Sequence, residues 1–286
     1  MIKIAVTGSR GFIGSHLTRR LRALNYEVIE IDILTGFDVT NYDNLKNTPE
    51  FNMVFHLAGK TFIPNAFIKP RSFYVTNVLG TLNMLELCRL YKGKFVFVSS
   101  YVYGKPEYLP IDEKHKTNAI NPYMSSKILC EQLCQGYYHD FDVPVIVFRP
   151  FNVYGAGQDD FFLIPKLIKQ SKAGNIELMD PRPKRDFVYI DDLVDAFVSC
   201  IDYLPDGFKV FNIGTGKSIS VEDLANLVVN KFNPDSIISF SGETRKDEIL
   251  DTKADITRAK NDLKWYPKID LETGLEMLKA SINYVN

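Results

Sequence analysis

Short apolar runs alternate with longer amphipathic segments along the first half of the chain. The apolar runs, each four or five residues long, are Ile2–Val6, Val28–Ile31, Met53–Leu57, Phe95–Val98 and Val145–Phe148. Helix-like stretches lie between them, at Gly11–Asn25, Ser72–Leu90 and Pro122–Phe141. Continuous apolar strands separated by helices are typical of a parallel sheet that is buried on both faces. The pattern therefore predicts an α/β fold with a doubly wound parallel sheet.

The pattern changes after about Gly155. Prolines and glycines cluster at 155–183, and the elements that follow are shorter. We expect a first domain over residues 1–155 and a smaller C-terminal region over 156–286. Within that region, the apolar segment near 208–213 is expected to return to the main sheet.

Composition and charge narrow the class of protein. The 286 residues carry 34 Lys and Arg against 35 Asp and Glu, so no overall field attracts nucleic acid or an acidic membrane. No apolar run approaches the ~20 residues that cross a bilayer, and the chain starts directly on a strand-like segment, without a signal peptide. The four cysteines show no metal-ligand spacing. We therefore expect a cytoplasmic protein without a metal site, a nucleic-acid partner or a membrane partner.

A glycine-rich turn follows the first predicted strand. The segment VTGSRGFIGSH places Gly8, Gly11 and Gly14 at G-x-x-G-x-x-G spacing, directly before a helix. Glycine permits a tight turn and lets a pyrophosphate approach the backbone, and the N–H groups that open a helix bind anions. In this context the motif predicts a Rossmann-type dinucleotide site, with Phe12 and Ile13 among its contacts.

Asp32 ends the second predicted strand, about 20 residues beyond the glycines. A carboxylate at this place accepts hydrogen bonds from the adenosine ribose hydroxyls and repels a 2′-phosphate. Ile33 follows it, and no arginine stands nearby in the sequence to pair with such a phosphate. These features favour NAD over NADP.

Further cofactor contacts are predicted at two places. Asp38 and Val39 follow Asp32 closely and are candidates to contact the adenine ring. Small and apolar residues close the third strand, where a cofactor can lie against the backbone: Leu57, Ala58 and Gly59. His56, inside that strand, is expected to be a packed core histidine rather than a catalyst.

The segment NPYMSSK contains the candidate chemistry. Asn121 can cap a helix, and Tyr123 and Lys127 then lie four residues apart on one face. A neighbouring ammonium lowers the pKa of a phenol from its ordinary value near 10, so that the phenol can exchange a proton near neutral pH. Ser99 and Ser100 end the fourth strand, at the sheet edge where such folds bind ligands. Together these residues predict a proton-transfer centre.

With these residues in place, the chain resembles the extended short-chain dehydrogenases/reductases, in the branch of nucleotide-sugar epimerases, dehydratases and reductases. The resemblance covers nearly the whole chain and is carried by TGSRGFIG, FHLAG, NVLGTLNMLE, VSSYVYG, PYMSSK, RPFNVYG, RDFVYIDD, FNIGTG and LKWYPKIDLETGLE. It implies that the C-terminal region binds a nucleotide-diphosphate sugar.

The resemblance also implies roles for single residues. Tyr123 is expected to be the acid/base, with Lys127 lowering its pKa and binding the nicotinamide ribose. The serine of the catalytic set is expected to be Ser99, with Ser100 its neighbour at the substrate. Asn77 is expected to contact the cofactor. Three further residues are expected to contact the phosphates of the substrate: Asn152, Arg185 and Arg245.

The reaction is narrowed by two positions. The branch's 4,6-dehydratases carry an Asp-Glu pair where this chain has Ser100 and Tyr101, so elimination of water is disfavoured. Two reactions at sugar C4 remain: reduction of a 4-keto, often 6-deoxy, nucleotide sugar, which we favour slightly, and 4-epimerisation with tightly bound NAD. A catalytically silent binding protein on the same fold is a third hypothesis.

The resemblance further implies a homodimer. Its interface is expected to be a four-helix bundle formed by the helices around 72–91 and 122–141. Four apolar positions fit such an interface, and equally a face of the internal core: Leu82, Leu85, Leu129 and Leu133.

Overall fold

The computed structural model describes residues 2–203, 207–245 and 248–283. Its strands, β1 to β13 in chain order, are Lys3–Thr7, Glu27–Ile31, Met53–His56, Lys94–Val98, Val145–Pro150, Asn152–Tyr154, Asn175–Leu178, Lys184–Arg185, Phe187–Tyr189, Lys209–Ile213, Ile219–Ser220, Ile237–Phe240 and Asp251–Thr252. Its α-helices, α1 to α11, are Phe12–Ala23, Tyr42–Leu45, Ile63–Ile68, Pro70–Phe73, Gly80–Leu90, Pro122–Phe141, Leu163–Lys172, Ile190–Ser199, Val221–Phe232, Thr257–Asp262 and Leu271–Asn283. A 3₁₀ turn covers Ile33–Thr35, and a π-helical turn covers Tyr74–Leu79.

Six strands form one sheet in the order β10-β5-β4-β3-β1-β2. The pairs among β1 to β5 are parallel, and Ile4 of β1 lies opposite both Val28 and Met53. The strand order reverses at β1 and β3, which in an open α/β sheet marks the crevice where ligands bind. The predicted α/β fold with a doubly wound, Rossmann-type parallel sheet is confirmed.

The chain folds into two compact units. The first, here the sheet unit, comprises Met1–Gly104, Lys116–Pro150 and Phe197–Phe211. The second, here the C-terminal unit, comprises Lys105–His115, Phe151–Ala196 and Asn212–Asn286. Each unit therefore takes segments from both sides of residue 155, and β10 at Lys209–Ile213 lies at one edge of the large sheet.

The sheet unit is held by an apolar layer between its strands and the helices α5 and α6. Its strand members lie at alternate positions along β4 and β5, on the face that these helices cover. The intervening Val96 and Ile146 are also fully buried, as expected for a sheet covered on both faces. The buried strand residues of this layer include Val54, Phe95, Phe97, Val145 and Val147. Three of the free cysteines, Cys88, Cys130 and Cys134, belong to this layer, and burial raises the pKa of each thiol.

The C-terminal unit is organised around smaller sheets. Strand β8 lies between β11 and β13, and β7 pairs with β12. The buried carboxylate of Asp186 accepts hydrogen bonds from the backbone N–H groups of Thr215, Gly216 and Ala254 at 2.7, 2.9 and 3.1 Å. This side chain joins two separate loops of the unit to its own position between β8 and β9.

Helix α6 begins where the sequence predicts. Asn121 Oδ1 accepts a hydrogen bond from the N–H of Met124 at 2.9 Å, and Pro122 occupies the first turn, where a missing N–H costs nothing. The predicted helix Ser72–Leu90 is instead divided between α4, the π-helical turn and α5. Over the described ranges, no helix is long and apolar enough to span a membrane.

Candidate cofactor and catalytic site

The glycine loop connects β1 to α1 with very little space around it. Gly8 has a φ of +66°, and a Cβ there would lie 2.9 Å from the backbone nitrogen of Ala58. A Cβ on Gly14 would lie 2.0 Å from the carbonyl oxygen of Gly8. No side chain caps the start of α1, so the first N–H groups, including those of Phe12 and Ile13, have no side-chain partner there. Such an uncapped helix start is suited to an anion.

Ser9, inside this loop, offers a second indication of a bound group. Its hydroxyl is buried and makes no hydrogen bond to any part of the chain that the structure describes. Buried polar groups normally have a partner, so an orphaned hydroxyl beside a tight glycine turn fits a pyrophosphate. The loop therefore fits a dinucleotide.

Asp32 lies at the carboxyl end of β2 and is held by the backbone on both sides. Its Oδ1 accepts from the N–H of Leu34 at 2.9 Å, and its Oδ2 accepts from the N–H of Arg10 at 3.0 Å. The Arg10 guanidinium meets Glu30 at 2.7 Å, and Glu30 also pairs with Arg22 at 2.6 Å. An arginine is thus close to the predicted ribose position, although none follows Asp32 in the sequence.

Sequence reasoning missed Arg10 because the search for a basic residue was confined to the segment after Asp32. The turn of the glycine loop brings residue 10 alongside residue 32. The available signal was the arginine inside SRG, between the first two glycines. The Arg10 guanidinium is already paired with Glu30, so Arg10 does not offer an unpaired positive charge to a 2′-phosphate.

The other predicted cofactor contacts occupy neighbouring positions in the sheet unit. The Asp38 carboxylate accepts from the N–H and the hydroxyl of Thr40, both at 2.8 Å, and Val39 beside it is buried. The N–H groups of Leu57 and Ala58 both donate to the Thr7 hydroxyl at 3.0 Å. The end of β3 is thereby fixed against the end of β1.

Gly59, Asn77 and Lys127 come together at this edge of the sheet. A Cβ on Gly59 would lie 3.1 Å from Asn77 Oδ1 and 3.8 Å from Lys127 Nζ. The Asn77 amide is fully engaged, since it accepts from the N–H of Lys60 at 2.8 Å and donates to the Ser126 hydroxyl at 2.8 Å. The π-helical turn Tyr74–Leu79 carries Asn77 to this place.

Tyr123 and Lys127 lie on the buried face of α6. Lys127 Nζ donates to the carbonyl oxygen of Val98 at 2.8 Å and lies 4.8 Å from the centre of the Phe97 ring. Burial lowers the pKa of Lys127. Burial raises the pKa of Tyr123 to about 12, and a hydrogen bond with Ser100 acts in the opposite direction. The phenol is thus protonated at neutral pH. The sequence predicted that Lys127 lowers the pKa of Tyr123, but burial raises this pKa, and the Lys127 ammonium donates to the Val98 carbonyl.

The two serines after β4 differ in their surroundings. The backbone N–H of Ser99 continues the sheet ladder to the carbonyl of Phe148 at 2.8 Å. The Ser99 hydroxyl is buried and without a hydrogen-bond partner among the described residues, whereas Ser100 is the serine that bonds Tyr123. One hydroxyl is therefore available to an external oxygen, and the other is positioned on the phenol.

The residues predicted to contact the substrate phosphates lie in the C-terminal unit. Asn152 Nδ2 donates to the carbonyl of Asp186 at 3.2 Å. The Arg185 guanidinium forms an ion pair with Glu248 and donates to the carbonyl of Ile249 at 2.7 Å. Arg245 is exposed. Two of the three side chains thus already have partners within their own unit.

Comparison with known proteins places these features in a family. The family model for the NAD dependent epimerase/dehydratase family matches residues 4–214. A putative UDP-glucose 4-epimerase from Methanocaldococcus jannaschii is 34% identical, with 96% of each chain covered. A GDP-6-deoxy-D-mannose reductase from Pseudomonas aeruginosa is 30% identical, with 96% of this chain and 95% of that protein covered.

A solved structure has nearly the same backbone. The structure of RMD from Pseudomonas aeruginosa, complexed with NADPH, matches this chain with a TM-score of 0.92 at 28% identity, and all of both chains is covered. The family match and these relatives confirm the resemblance seen in the sequence, and NAD, the predicted cofactor, stands in the family's own description. The chain therefore belongs to the NAD dependent epimerase/dehydratase family.

Proposed function

We propose that this protein is an NAD(P)-dependent enzyme that reduces the 4-keto group of a nucleotide-diphosphate sugar, with NAD(H) as its preferred cofactor. The observation that carries the proposal is the buried hydroxyl of Ser99, which has no hydrogen-bond partner in the described part of the chain and belongs to the same unit as Tyr123, Lys127 and the glycine loop. An orphaned hydroxyl in such a place is suited to hold the oxygen of a sugar carbonyl.

Each residue has a defined task in this proposal. A bound nicotinamide dinucleotide supplies the hydride. Ser99 donates a hydrogen bond to the carbonyl oxygen, and Tyr123, protonated at neutral pH, gives its proton to that oxygen as it becomes a hydroxyl. Lys127 keeps a positive charge near the phenolate that is left, which lowers the cost of forming it.

The nucleotide diphosphate is assigned to the C-terminal unit. Asn152, Arg185 and Arg245 are the proposed contacts, because the planar guanidinium group binds phosphate oxygens in pairs. The nucleotide base and the sugar are left open by this proposal.

A second candidate reaction is 4-epimerisation. The observation that favours it is the 34% identity to a putative UDP-glucose 4-epimerase over 96% of this chain. The same residues can serve this reaction, since the sugar hydroxyl is first oxidised to a ketone, and the ketone is then reduced on its other face. Dehydration is not proposed, because the two positions after Ser99 are Ser100 and Tyr101, and the Tyr101 hydroxyl already donates to the carbonyl of Gly104 at 2.5 Å.

We also propose that the sheet unit pairs with a second copy of the chain through α5 and α6. Leu82 and Leu129 are exposed on these helices. A groove of about 360 Å³ is lined mainly by apolar side chains, among them Leu133 and Phe141, together with Gln132 and Asp140. Leu85 is fully buried in the core of its own unit and is not part of this face. Sedimentation equilibrium of Leu129→Glu against the unaltered protein tests the pairing.

The test of function begins with the cofactor. The purified protein is denatured and any released nicotinamide nucleotide is identified, and the native protein is then assayed with 4-keto nucleotide sugars and NADH or NADPH. Exchangeable NADH and consumption of the keto sugar are expected for the reductase. Stoichiometric, tightly held NAD with interconversion of two 4-epimers would favour the epimerase, and cofactor binding without turnover of any nucleotide sugar would contradict both.

A further inference from the structure

A buried ion pair in the sheet unit joins the catalytic helix to the strand beside it. Arg149, on β5, donates from Nε and Nη2 to the two carboxylate oxygens of Glu131 at 3.0 and 2.5 Å. Its Nη1 donates to the Tyr103 hydroxyl at 3.0 Å, and the guanidinium lies 4.9 Å from the centre of the Tyr103 ring. The side chains of Arg149 and Glu131 are only 7% and 8% exposed.

The two partners of Arg149 belong to the two segments that carry the proposed chemistry. Glu131 lies on α6 one turn beyond Lys127, and residues four apart share a helix face. Tyr103 belongs to the segment 99–104, which begins with Ser99 and Ser100. A single guanidinium therefore contacts both the helix that carries the phenol and the loop that carries the serines.

A buried ion pair of this kind adds little to folding stability, but it fixes the distance between the two segments that it joins. Removing two charges from water costs about as much as their attraction returns, whereas bidentate geometry fixes the relative position of the groups. Burial lowers the pKa of Arg149, but the contacts with Glu131 and Tyr103 raise it by more. The arginine stays charged, and each of its three donor nitrogens has a partner.

We propose that Arg149, through Glu131 and Tyr103, sets the position of the Ser99–Ser100 hydroxyls relative to the Tyr123 phenol. The role is that of a positioning residue, since Arg149 is not assigned any contact with substrate or cofactor. The inference rests on the proposed function for its effect on turnover, but its effect on the order of the 99–104 segment does not depend on that function.

Tyr103→Phe is the most informative variant because it removes one hydroxyl and leaves the ring. The matched control is Tyr91→Phe, which removes a hydroxyl that donates to the carbonyl of Thr48 elsewhere in the sheet unit. We expect Tyr103→Phe to lower kcat about 10-fold with little change in KM, because small displacements of reacting groups reduce the rate steeply. Amide hydrogen exchange over residues 99–104 should accelerate in this variant and not in the control.

Glu131→Gln gives a readout that a purely structural role would not alter. Three side chains can affect the pKa of Lys127 through their charge, namely Cys130, Glu131 and Cys134. The charge of Lys127 in turn lowers the pKa of His56. Burial raises the pKa of the Cys130 and Cys134 thiols and lowers the pKa of His56, which keeps these groups neutral. By contrast, the Glu131 carboxylate raises the pKa of Lys127 against the effect of burial. Its removal should therefore move the alkaline limb of the kcat profile about one unit toward lower pH.

The outcomes separate this inference from the proposed function. If the unaltered protein binds NAD but turns over no nucleotide sugar, the proposed function fails, and faster exchange over 99–104 in Tyr103→Phe still supports the positioning network. If exchange, kcat and the pH profile of Tyr103→Phe and Glu131→Gln match the Tyr91→Phe control, the network does not position the serines and the inference is wrong.

Discussion

The two compact units of this protein differ in how their proposed site residues are prepared for a ligand. In the sheet unit, the glycine loop is tight, and the hydroxyls of Ser9 and Ser99 are buried without a hydrogen-bond partner among the described residues. In the C-terminal unit, Arg185 is already paired with Glu248, and Arg245 is exposed. The site residues of the sheet unit are thus shaped to receive a ligand. In the C-terminal unit, by contrast, one arginine already has a partner and the other is exposed.

The difference fits the ligand that we propose for each unit. A dinucleotide is recognised largely by backbone shape and helix geometry, which glycine spacing imposes locally. A nucleotide sugar is recognised by side chains, whose partners depend on the packing of distant segments. The comparison predicts that small changes in the sheet unit abolish binding or turnover, whereas changes to the arginine contacts of the C-terminal unit adjust affinity.

The largest effect on cofactor binding is expected from Gly14→Ala. The new Cβ would lie 2.0 Å from the carbonyl oxygen of Gly8, so the loop must shift away from the shape that fits a pyrophosphate. Overpacking costs of about 1–3 kcal/mol predict that NAD binding weakens roughly 100-fold in isothermal titration. Gly136→Ala, in helix α6, is the matched control and should bind NAD normally, because its Cβ would meet no described residue outside the helix backbone within 4 Å. Equal binding by both variants would remove the glycine loop from the account.

Ser99→Ala should separate catalysis from stability. Its hydroxyl has no partner in the described chain, so the variant should lower kcat about 30-fold without loss of folding stability. Ser171→Ala, in the C-terminal unit, removes a hydroxyl that bonds to Ser236 at 3.2 Å. That control should lose some stability and keep its kcat. If Ser99→Ala keeps the kcat of the unaltered protein in steady-state assays, the hydrogen bond to the substrate oxygen must be assigned to Ser100 instead.

His56 should make the stability of the sheet unit depend on acid. Burial, the larger cause, and the charge of Lys127 lower the pKa of His56 from 6.5 to about 3. Below pH 6.5 the unfolded chain gains a proton that the folded chain refuses, so stability is complete above 6.5 and falls as the pH decreases toward 3. The expected loss is about 1.4 kcal/mol per unit over that window.

Urea unfolding at pH 7.5 and 5.5 measures this loss. His56→Asn should flatten the dependence, although it also removes hydrogen bonds to Thr7 and Thr81 at 2.8 and 3.1 Å. His139→Asn, at an exposed histidine of α6, should keep the dependence of the unaltered protein. A His56→Asn protein as acid-sensitive as this control would show that another group is responsible.

The smallest effect is expected from Glu248→Gln. The Glu248 carboxylate competes with a diphosphate for the Arg185 guanidinium, so its neutralisation should tighten nucleotide-sugar binding about threefold, in line with a partly exposed ion pair. Glu276→Gln breaks the Lys231–Glu276 pair of the same unit and should leave binding unchanged. Weaker binding by Glu248→Gln would mean that Glu248 holds the Arg185 guanidinium in the position that binds the phosphate, rather than competing with the phosphate for it.

The sequence was sufficient for the parts of the fold that local chemistry decides. The predicted strands match β1 to β5 to within two residues at either end, and α6 has the predicted bounds. These elements depend on apolar runs and on a cap at Asn121, both visible in a single segment. The parallel pairing of β1 to β5 follows from the alternation of strands and helices.

Other features depend on contacts that no local pattern contains. The π-helical turn that places Asn77 is indistinguishable from α-helix by composition, and Arg10 reaches Asp32 only because the glycine loop turns back. The partner of Arg185 lies 63 residues away along the chain. The roles assigned to Tyr123, Lys127, Ser99 and the substrate residues stay predictions until they are measured.

The most direct test of the central claim is the turnover of Tyr123→Phe compared with its cofactor binding. The account predicts that kcat for nucleotide-sugar conversion falls about 10³-fold, since the proton donor is lost, while the affinity for NAD in titration stays the same. A variant that binds NAD and retains the kcat of the unaltered enzyme would contradict the account, because the proton would then come from a group other than the α6 phenol.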